Sequence, residues 1–360
     1  MNEFFVITAI AFAISYCITP LIIAVAKRYR LVDDAKRVHP ARTHSGVVPR
    51  AGGLALYIGI ITTLILFVPM TKQLIGIIAG ASIILIVGLL DDRKDVNPYV
   101  RVLTNILAAL CVVAGGISIA YVNNPFTGEV FHLDTWRISF DFFGQHSIVP
   151  LANLLAILWI VWTMNIVGWS SGVDGQLPGF IVIAAATLGL LSLRFLSEDP
   201  SQATGIQISS AIAGSYLGFL PWNFYPQKIM PGYSGKALGG FLLATLSILA
   251  QAKIGTAFLV LGVPMIDAFY TLIRRTLQKK SPVWPDRGHL HHRLMDMGWG
   301  KKRIAIFYWL VSAILGLIAL SVTSRGKLFT VFVLAMWIAG IIAWARLLQV
   351  LGEGNVSRKK

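Results

Sequence analysis

The stretch GIIAGASIILIVGLLDDRKD, residues 76–95, joins an apolar run to a cluster of charges. Its first fifteen residues carry no charge, and two adjacent acids, Asp91 and Asp92, then follow, with two cations and a third acid behind them. A membrane-spanning helix needs about 20 mainly apolar residues. The stretch therefore predicts a membrane helix that ends in acids at the membrane surface.

The composition of the whole chain is that of a membrane protein. Of its 360 residues, 56% are hydrophobic and 13% are charged, and the mean hydropathy is +0.72. Soluble domains carry about 25% charged residues, and this chain has no long polar segment that would form one. Apolar segments this long span a bilayer as helices, because a helix satisfies its own backbone polar groups. We therefore predict an all-α, polytopic membrane protein that forms one domain over residues 1–360.

The apolar segments predict about eleven spans. They lie near residues 4–26, 51–69, 73–90, 99–121, 150–167, 178–195, 204–221, 236–251, 254–275, 304–322 and 328–349. The first span follows Glu3 and no Lys or Arg, so we expect it to stay as a helix with its N-terminus outside. Residues 122–149 alternate aromatic and polar side chains, which predicts a small β-hairpin on the outer surface.

The basic residues predict the orientation, because cytoplasmic loops are rich in Lys and Arg. With residues 27–50 in the cytoplasm, 25 Lys and Arg side chains lie inside and 6 outside. The C-terminus is then cytoplasmic, and we predict a multi-pass protein of the cell (inner or plasma) membrane. The net charge of +15 reflects this asymmetry, so it indicates anionic lipid heads or phosphates as partners and no nucleic acid.

The predicted inner loops hold most of the acids, histidines and Gly–Pro turns. They are residues 27–50, 91–98, 168–177, 222–235 and 276–303. Loops that converge on one face of a helical bundle are typical of an active site, here a cleft that faces the cytoplasm, or of a gate. A helix C-terminus disfavours acids, so Asp91 and Asp92 call for a compensating cation, most usefully a divalent one. A solvated helix end with basic neighbours is an equal alternative.

Three further inner loops have features of binding sites. HSGVVPRAGG, residues 44–53, places Arg50 before two glycines at a helix start, and MPGYSGKALGG, residues 230–240, places Lys236 after a Gly-rich turn. Both patterns suit phosphate, although a positive-inside anchor explains the first equally well and a lone Gly-rich turn is weak support. Asp174 is the only charge in GWSSGVDGQLPG, residues 168–179, where it is either a ligand or a helix cap.

The last inner loop carries histidines flanked by arginines. The loop WPDRGHLHHRL, residues 284–294, contains Arg287, His289, His291, His292 and Arg293. Histidines can bind metal, pair with phosphate or carry protons. Zinc would need further Cys or His ligands, which favours phosphate binding or acid–base work. Asp267 lies inside an apolar span and is either catalytic or a structural partner of another loop.

Taken in order, these loops resemble those of the polyprenyl-phosphate N-acetylhexosamine-1-phosphate transferases. The shared motifs are P-R-x-G-G, D-D at a helix end, a G-x-D-G loop, a P-G-x-S-G turn and H-x-H-H, and the resemblance covers about residues 10–350. The form H-L-H-H-R-L and the eleven predicted helices look more like the N-acetylglucosamine branch. The phospho-muramoyl-pentapeptide branch carries consecutive histidines and ten helices.

The resemblance implies a reaction at the inner membrane surface. A polyprenyl phosphate attacks the sugar-linked phosphorus of a UDP-sugar, expected to be UDP-N-acetylglucosamine, and gives a polyprenyl-pyrophosphoryl sugar and UMP. This would be the first membrane step of a cell-envelope glycan such as lipopolysaccharide or teichoic acid. The resemblance implies Mg²⁺, or Mn²⁺, to neutralise the phosphates. Family members often pair, so a homodimer is left open.

The motifs imply roles by position. The residues implied to be catalytic are Asp91, Asp92, His289, His291 and His292. The implied metal ligands are Asp91, Asp92 and Asp174. The implied substrate-binding residues are Arg50, Lys94, Asn165, Asp174, Tyr233, Lys236, Arg287 and Arg293.

Two loops depart from the family pattern. Where the third loop of the family reads N-x-x-D-G-x-D-G, this chain has Gly168 at the Asn position and Ser171 at the first Asp position. Asn165, one turn earlier, is placed to compensate in part. The fourth loop of the family reads G-D-S-G, and its Asp is the principal Mg²⁺ ligand. Tyr233 stands at that position, and a neutral phenol is a poor Mg²⁺ ligand beside a carboxylate.

These departures leave several functions to compare. The acid pair and the histidine motif favour an active transferase with a rearranged metal site, or one for a different nucleotide sugar or lipid. A non-catalytic relative that binds lipid phosphate or a partner is the alternative within the family. A transporter also uses intramembrane acids and broken helices, but its polar residues should lie near the midplane. A cleft open to the cytoplasm would favour the transferase.

Overall fold

The computed structural model describes residues 2–33, 46–124, 126–141, 145–250, 254–281 and 287–357. Those residues form thirteen helices and six short strands. The helices are α1 (Asn2–Arg28), α2 (Gly52–Phe67), α3 (Lys72–Lys94), α4 (Pro98–Ala114), α5 (Pro150–Trp169), α6 (Gln176–Phe195), α7 (Gln202–Asn223), α8 (Gly232–Leu249), α9 (Ile254–Val260), α10 (Gly262–Leu277), α11 (Leu290–Asp296), α12 (Lys301–Ser321) and α13 (Ser324–Ser357). The start of the first basic motif, residues 44–45, and residues 284–286 of the histidine loop lie outside the described residues.

The described helices confirm an all-α, polytopic membrane protein. Six of them are long and apolar enough to cross a membrane, namely α1, α3, α5, α6, α12 and α13. The pair α9 and α10, bent by 82° at a short break, would add a seventh span. Helices α2 and α4 are apolar but shorter, with 16 and 17 residues. The count of eleven spans stays a prediction.

The strands form short antiparallel pairs. They are β1 (Val32–Asp33), β2 (Val48–Pro49), β3 (Tyr121–Asn123), β4 (Val130–His132), β5 (Ile138–Asp141) and β6 (Gln145–Ile148). In the segment predicted as one hairpin, β3 pairs with β4, with Val122 opposite Phe131, and β5 pairs with β6, with Ser139 opposite Ser147. The segment therefore contains two small strand pairs, and its position on the outer side stays a prediction.

Helix α8 lies at the centre of the bundle. Fifteen of its 18 residues are buried, and it packs against α2, α3, α5, α6, α7 and α9. Small residues permit this packing, since a Cβ added to Gly240 would lie 2.6 Å from the Cα of Met164 in α5. Membrane helices commonly associate through small residues that let backbones approach closely. The N-terminus of α8 is thereby fixed against the ends of its neighbours.

Helix α3 continues one turn beyond its apolar run. Thr71 caps its start, because the hydroxyl of Thr71 accepts a hydrogen bond from the backbone N–H of Leu74 at 3.2 Å. Asp95 ends the helix in the left-handed conformation, with φ 48°. This extra turn carries Asp91 and Asp92, and both side chains are fully buried. A solvated helix end, the alternative considered for this pair, does not describe them.

Candidate active site

The acid pair of α3 meets the start of α8 at Asp92. Oδ1 of Asp92 accepts a hydrogen bond from the backbone N–H of Tyr233 at 2.6 Å. Its Oδ2 accepts one from the hydroxyl of Ser234 at 2.7 Å and one from the backbone N–H of Ser234 at 3.4 Å. The Nε of Arg50 lies 3.8 Å from Oδ1. Hydrogen bonds to a carboxylate at a helix N-terminus are charge-assisted and favoured by the helix dipole. Both oxygens of Asp92 therefore have protein partners.

Glycines from three motifs make this junction possible. A Cβ on Gly53, in the P-R-x-G-G motif, would overlap the side chain of Ser234. A Cβ on Gly88, in the GLLDD stretch, would lie 2.6 Å from the Cα of Ser234. Gly232 has a φ of 69°, and a Cβ there would overlap the carboxylate of Asp92. The three motifs, which are distant in the sequence, thus approach one another too closely for any side chain at these positions.

Asp91 faces α4 and pairs with Arg101. Oδ1 of Asp91 accepts a hydrogen bond from Nε of Arg101 at 2.6 Å and one from the backbone N–H of Val96 at 3.0 Å. Arg101 also reaches Asp95, with 4.0 Å between the guanidinium and Oδ1. Oδ2 of Asp91 is buried and has no hydrogen-bond partner among the described residues. One oxygen of Asp91 thus has hydrogen-bond partners and the other has none among the described residues, while Arg101 neutralises its charge.

Tyr233 points its side chain away from Asp92 and towards α4. Its hydroxyl donates to Oδ1 of Asn105 at 2.8 Å and also lies 3.3 Å from the backbone oxygen of Arg101. The guanidinium of Arg101 lies over the phenol ring, 5.3 Å from its centroid, which is a cation–π distance. The phenol therefore positions Arg101, while the backbone N–H of the same residue holds Asp92.

Two further cations complete this cluster, which we call the carboxylate cluster (Arg50, Asp91, Asp92, Asp95, Arg101, Tyr233, Ser234 and Lys236). Arg50 donates to Oδ1 of Asp95 at 3.2 Å. Although burial lowers it, the neighbouring carboxylates of Asp92 and Asp95 raise the pKa of Arg50 above its ordinary value. Lys236 is partly buried and makes no hydrogen bond and no ion pair within 4.0 Å to any described residue. Its charge nevertheless interacts with those of Arg50, Asp92 and Arg101.

The histidine motif forms a second cluster around Asp267. Nδ1 of His289 lies 2.9 Å from Oδ2 of Asp267, and the backbone N–H of Leu290 donates to Oδ1 of Asp267 at 2.7 Å. The rings of His289 and His291 are stacked with their centroids 5.8 Å apart, and those of His291 and His292 lie 4.2 Å apart. Asp267 is therefore the structural partner of the histidine loop, which is one of the two roles considered for it.

His291 and His292 are buried and neutral. Burial, together with the proximity of His292, His289 and Lys236, lowers the pKa of His291 well below its ordinary value. Burial, with the charge of Arg287, lowers the pKa of His292 to about 4. Nδ1 of each ring is buried without a hydrogen-bond partner in the described part of the chain. A neutral imidazole has one donor and one acceptor nitrogen, so each ring retains a group for a ligand.

The third loop touches both the histidines and a separate ion pair. A Cβ on Gly172 would overlap the ring of His291. Asp174 is buried, and its Oδ1 accepts a hydrogen bond from Nζ of Lys301 at 3.1 Å. Its Oδ2 accepts one from the backbone N–H of Gln227 at 3.2 Å. Asp174 therefore joins the third loop to the fourth loop and to the start of α12.

The other predicted site residues have local partners or exposed positions. Asn165 donates to the backbone oxygen of Val161 in its own helix at 2.7 Å. Lys94 is exposed at the end of α3. Ser171 donates to the backbone oxygen of Gly168 at 2.7 Å, so the two departures in the third loop bond to each other.

The two predicted arginines of the histidine loop also differ in exposure. Arg287 forms an exposed pair with Asp296 at 3.5 Å. Arg293 donates to the backbone oxygen of Gly288 at 3.1 Å and lies over the ring of Tyr270. Arg293 is thus held beside the cluster, whereas Arg287 lies at its solvent side.

Four residues of the site were not predicted from the sequence. They are Arg101, Asn105, Ser234 and Lys301. Arg101 and Asn105 belong to the first turns of an apolar helix, where a basic residue at the inner surface is ordinary. Ser234 lies inside a quoted motif, so its position was a usable signal. Nothing in the spacing of the sequence indicates that Lys301 would pair with Asp174.

Comparison with known proteins agrees with the motifs. The chain matches the model for glycosyl transferase family 4 over residues 74–251. It is 29% identical to a probable undecaprenyl-phosphate N-acetylglucosaminyl 1-phosphate transferase of Bacillus subtilis, over 94% of this chain and 92% of that protein. It is 31% identical to the decaprenyl-phosphate N-acetylglucosaminephosphotransferase of Mycobacterium tuberculosis, over 74% of this chain and 70% of that protein. A phospho-N-acetylmuramoyl-pentapeptide-transferase of Staphylococcus epidermidis is 27% identical, over 88% and 98%.

The helical bundle and its motif-built polar clusters are those of a multi-pass membrane enzyme. The chain belongs to glycosyl transferase family 4, and its relatives from Bacillus subtilis and Mycobacterium tuberculosis are polyprenyl-phosphate sugar-1-phosphate transferases. The resemblance inferred from the five loops is confirmed.

Members of this family depend on a divalent metal ion, and the ligands implied by the sequence are Asp91, Asp92 and Asp174. The described residues contain no group of three Asp, Glu, His or Cys side chains placed to hold an ion. Both oxygens of Asp92 accept protein hydrogen bonds, and Asp174 is paired with Lys301. Only Oδ2 of Asp91 is left, and it is buried. Magnesium needs accessible oxygen ligands in near-octahedral geometry, so the residues in this arrangement do not fit a divalent site.

Proposed function

We propose that the protein transfers N-acetylglucosamine 1-phosphate from UDP-N-acetylglucosamine to a membrane polyprenyl phosphate and releases UMP. A phosphate oxygen of the lipid forms a bond to the phosphorus attached to the sugar. The bond from that phosphorus to the oxygen bridging to UMP breaks, and UMP leaves with the electron pair. The reaction forms one phosphoanhydride linkage and breaks one, so it needs no further reactant.

The observation that carries the proposal is the junction of Asp92 with Tyr233 and Ser234 beside Arg50. It brings the P-R-x-G-G, D-D and P-G-x-S-G motifs of the family to one place. The two substrates carry phosphates, and the cations of the carboxylate cluster supply the charge that would hold them. Phosphoryl transfer is catalysed mainly by positioning and charge stabilisation, so a rigid charged cluster suits it.

The two clusters have separate tasks in this proposal. In the carboxylate cluster, Arg50 and Lys236 hold phosphate oxygens, and Asp91, the acid with an unpartnered oxygen, positions or deprotonates the lipid phosphate. In the histidine cluster, the neutral rings of His291 and His292 hydrogen-bond the sugar-nucleotide phosphates. Asp174 belongs to the loop that would hold the uridine end.

The proposal also implies where the site lies relative to the membrane. The whole of residues 1–360 would be one transferase domain, with its N-terminus outside the cell membrane and both the site and the C-terminus in the cytoplasm. Only a site at that surface meets a lipid phosphate and a soluble nucleotide sugar together. The product would begin a cell-envelope glycan.

Release of UMP tests the proposal directly. Purified protein is given a polyprenyl phosphate and UDP-N-acetylglucosamine, with Mg²⁺ in one series and EDTA in the other. We expect UMP from the parent and at least a 100-fold loss in Asp91→Asn, because the half-satisfied carboxylate becomes neutral. The control is Asp134→Asn, a partly exposed acid in the segment between the strand pairs, which should keep full activity. Equal activity of all three proteins would contradict the assignment of the site.

A second candidate function is a non-catalytic relative that binds lipid phosphate. The observation that favours it is that both carboxylate oxygens of Asp92 accept hydrogen bonds from the protein. It predicts that the parent binds polyprenyl phosphate but releases no UMP with any of several UDP-sugars, whereas Tyr233→Asp regains release. UMP from the parent protein would eliminate this candidate.

A further inference from the structure

The carboxylate cluster combines three acids with three cations among the described residues. The acids are Asp91, Asp92 and Asp95, and the cations are Arg50, Arg101 and Lys236. Each acid has a guanidinium within 4.0 Å, and Arg101 bonds its acid at 2.6 Å. The acids are therefore neutralised by the chain itself before any ligand arrives.

Tyr233 favours the pairing of these acids with cations of the chain over the binding of a metal ion. A carboxylate at this position would place a negative charge beside Asp91 and Asp92 and would attract a divalent ion. The phenol instead donates to Asn105 and supports the guanidinium of Arg101 through its ring. The neutral phenol of Tyr233 and the guanidinium of Arg101 thus lie between α8 and α4.

Lys236 is the cation that remains for a ligand. It lies one turn after Tyr233 on α8 and makes no hydrogen bond or ion pair with any residue in the described ranges. Its charge reaches Asp92 in one cluster and His291 in the other. An ammonium group whose charge acts on both clusters is suited to bind the anionic phosphates that both substrates carry.

From this arrangement, and resting on the proposed function, we infer that Lys236 neutralises the substrate phosphates in place of a divalent metal ion, while Arg101 neutralises Asp91. Charge on phosphoryl oxygens can be stabilised by arginine and lysine as well as by metal ions. The substrate-binding and transfer steps of this protein are then independent of divalent ions, unlike those of its metal-dependent family.

The first test compares UMP release in EDTA with release in Mg²⁺. We expect rates within about threefold of each other. Release that is abolished by EDTA and restored by Mg²⁺ would overturn the inference and leave the transferase assignment intact. If no UMP appears in either series, the proposed function fails, and a binding measurement then decides the inference alone.

The binding measurement uses UDP-N-acetylglucosamine as the probe and calorimetry as the readout. We expect the same Kd with and without Mg²⁺, a Kd raised at least tenfold in Lys236→Met, and near-parent binding in Lys236→Arg, which keeps the charge. The matched control is Lys228→Met, an exposed lysine of the preceding loop that lies over the ring of Trp222. Binding that requires Mg²⁺, or that is unchanged in Lys236→Met, would refute the inference. Should Lys236→Met not fold, the parent in EDTA and Lys236→Arg still decide it.

A gain-of-function variant provides the converse test with Mn²⁺ as a spectroscopic probe. Electron paramagnetic resonance should detect no stoichiometric Mn²⁺ bound by the parent at sub-millimolar concentration. Tyr233→Asp should bind about one ion per chain, because it adds a carboxylate beside Asp91 and frees Arg101. Stoichiometric Mn²⁺ on the parent would show that the acids hold an ion despite their protein partners, which would overturn the inference.

Discussion

Substitution of Gly88 by alanine tests whether the junction between α3 and α8 holds the site together. A Cβ at this position would lie 2.6 Å from the Cα and Cβ of Ser234, whereas ordinary contact begins at 3.4 Å. The helices must therefore separate by about 0.8 Å, the difference between these distances. The hydrogen bond from Ser234 to Asp92, now 2.7 Å, would then lengthen to the limit of about 3.5 Å.

The free energy follows from these contacts. Overpacking a well-packed core costs about 1–3 kcal/mol, and a weakened hydrogen bond to a charged group costs about 1.5–3 kcal/mol. Alanine has a higher helix propensity than glycine, which offsets up to about 1 kcal/mol of this loss of stability. We expect a net destabilisation of about 1.5–5 kcal/mol, together with a large loss of UMP release because Asp92 is displaced.

The assay is thermal unfolding of the purified protein in detergent, followed by fluorescence and paired with UMP release. The matched control is Gly340→Ala, also a helical glycine, where an added Cβ would meet nothing within 4 Å. That variant should be as stable as the parent or slightly more stable. If Gly88→Ala unfolds at the temperature of Gly340→Ala and keeps its activity, the reasoning about the junction is wrong.

The histidine cluster gives two further predictions. Asp267→Asn should lower UMP release about 10–100-fold, because His289 loses the carboxylate that orients its ring. Asp296→Asn, which removes an acid from an exposed ion pair, should leave UMP release unchanged. Equal rates for the two variants would contradict the orienting role of Asp267. Because burial lowers the pKa of His292 to about 4, the unfolded chain binds a proton that the folded chain does not as the pH falls from about 6.5 to 4. Stability should therefore fall over that window by on the order of 3 kcal/mol, and thermal unfolding of His292→Gln should show a flatter pH dependence than the parent.

The sequence predicted the class of fold and the identity of the motifs. Hydropathy and the small number of charges are sufficient to predict a helical membrane protein, because a bilayer leaves few alternatives for a long apolar segment. The motif order was sufficient for the family, which the relatives confirm. Boundaries were less accurate, since α3 extends one turn beyond the apolar run and carries Asp91 and Asp92 into the interior.

The individual roles of polar residues could not be predicted in the same way. The sequence marks Asp92 and Tyr233 as members of two motifs, but the hydrogen bond between them joins positions 141 residues apart. The sequence likewise shows that Asp267 is an ionisable residue in an apolar span, but it does not indicate which residue Asp267 contacts. Only the packing of α10 against the histidine loop pairs it with His289.

What the sequence by itself determined is therefore a family 4 membrane protein with acids, glycines and histidines at the ends of its helices. Only the tertiary structure decided how the charges are paired. Arg101 is an ordinary basic residue near a helix start until α4 packs beside α3 and brings its guanidinium 2.6 Å from Asp91. Ion pairs depend on distances between elements that are remote in the chain, and hydropathy and spacing contain no information about those distances.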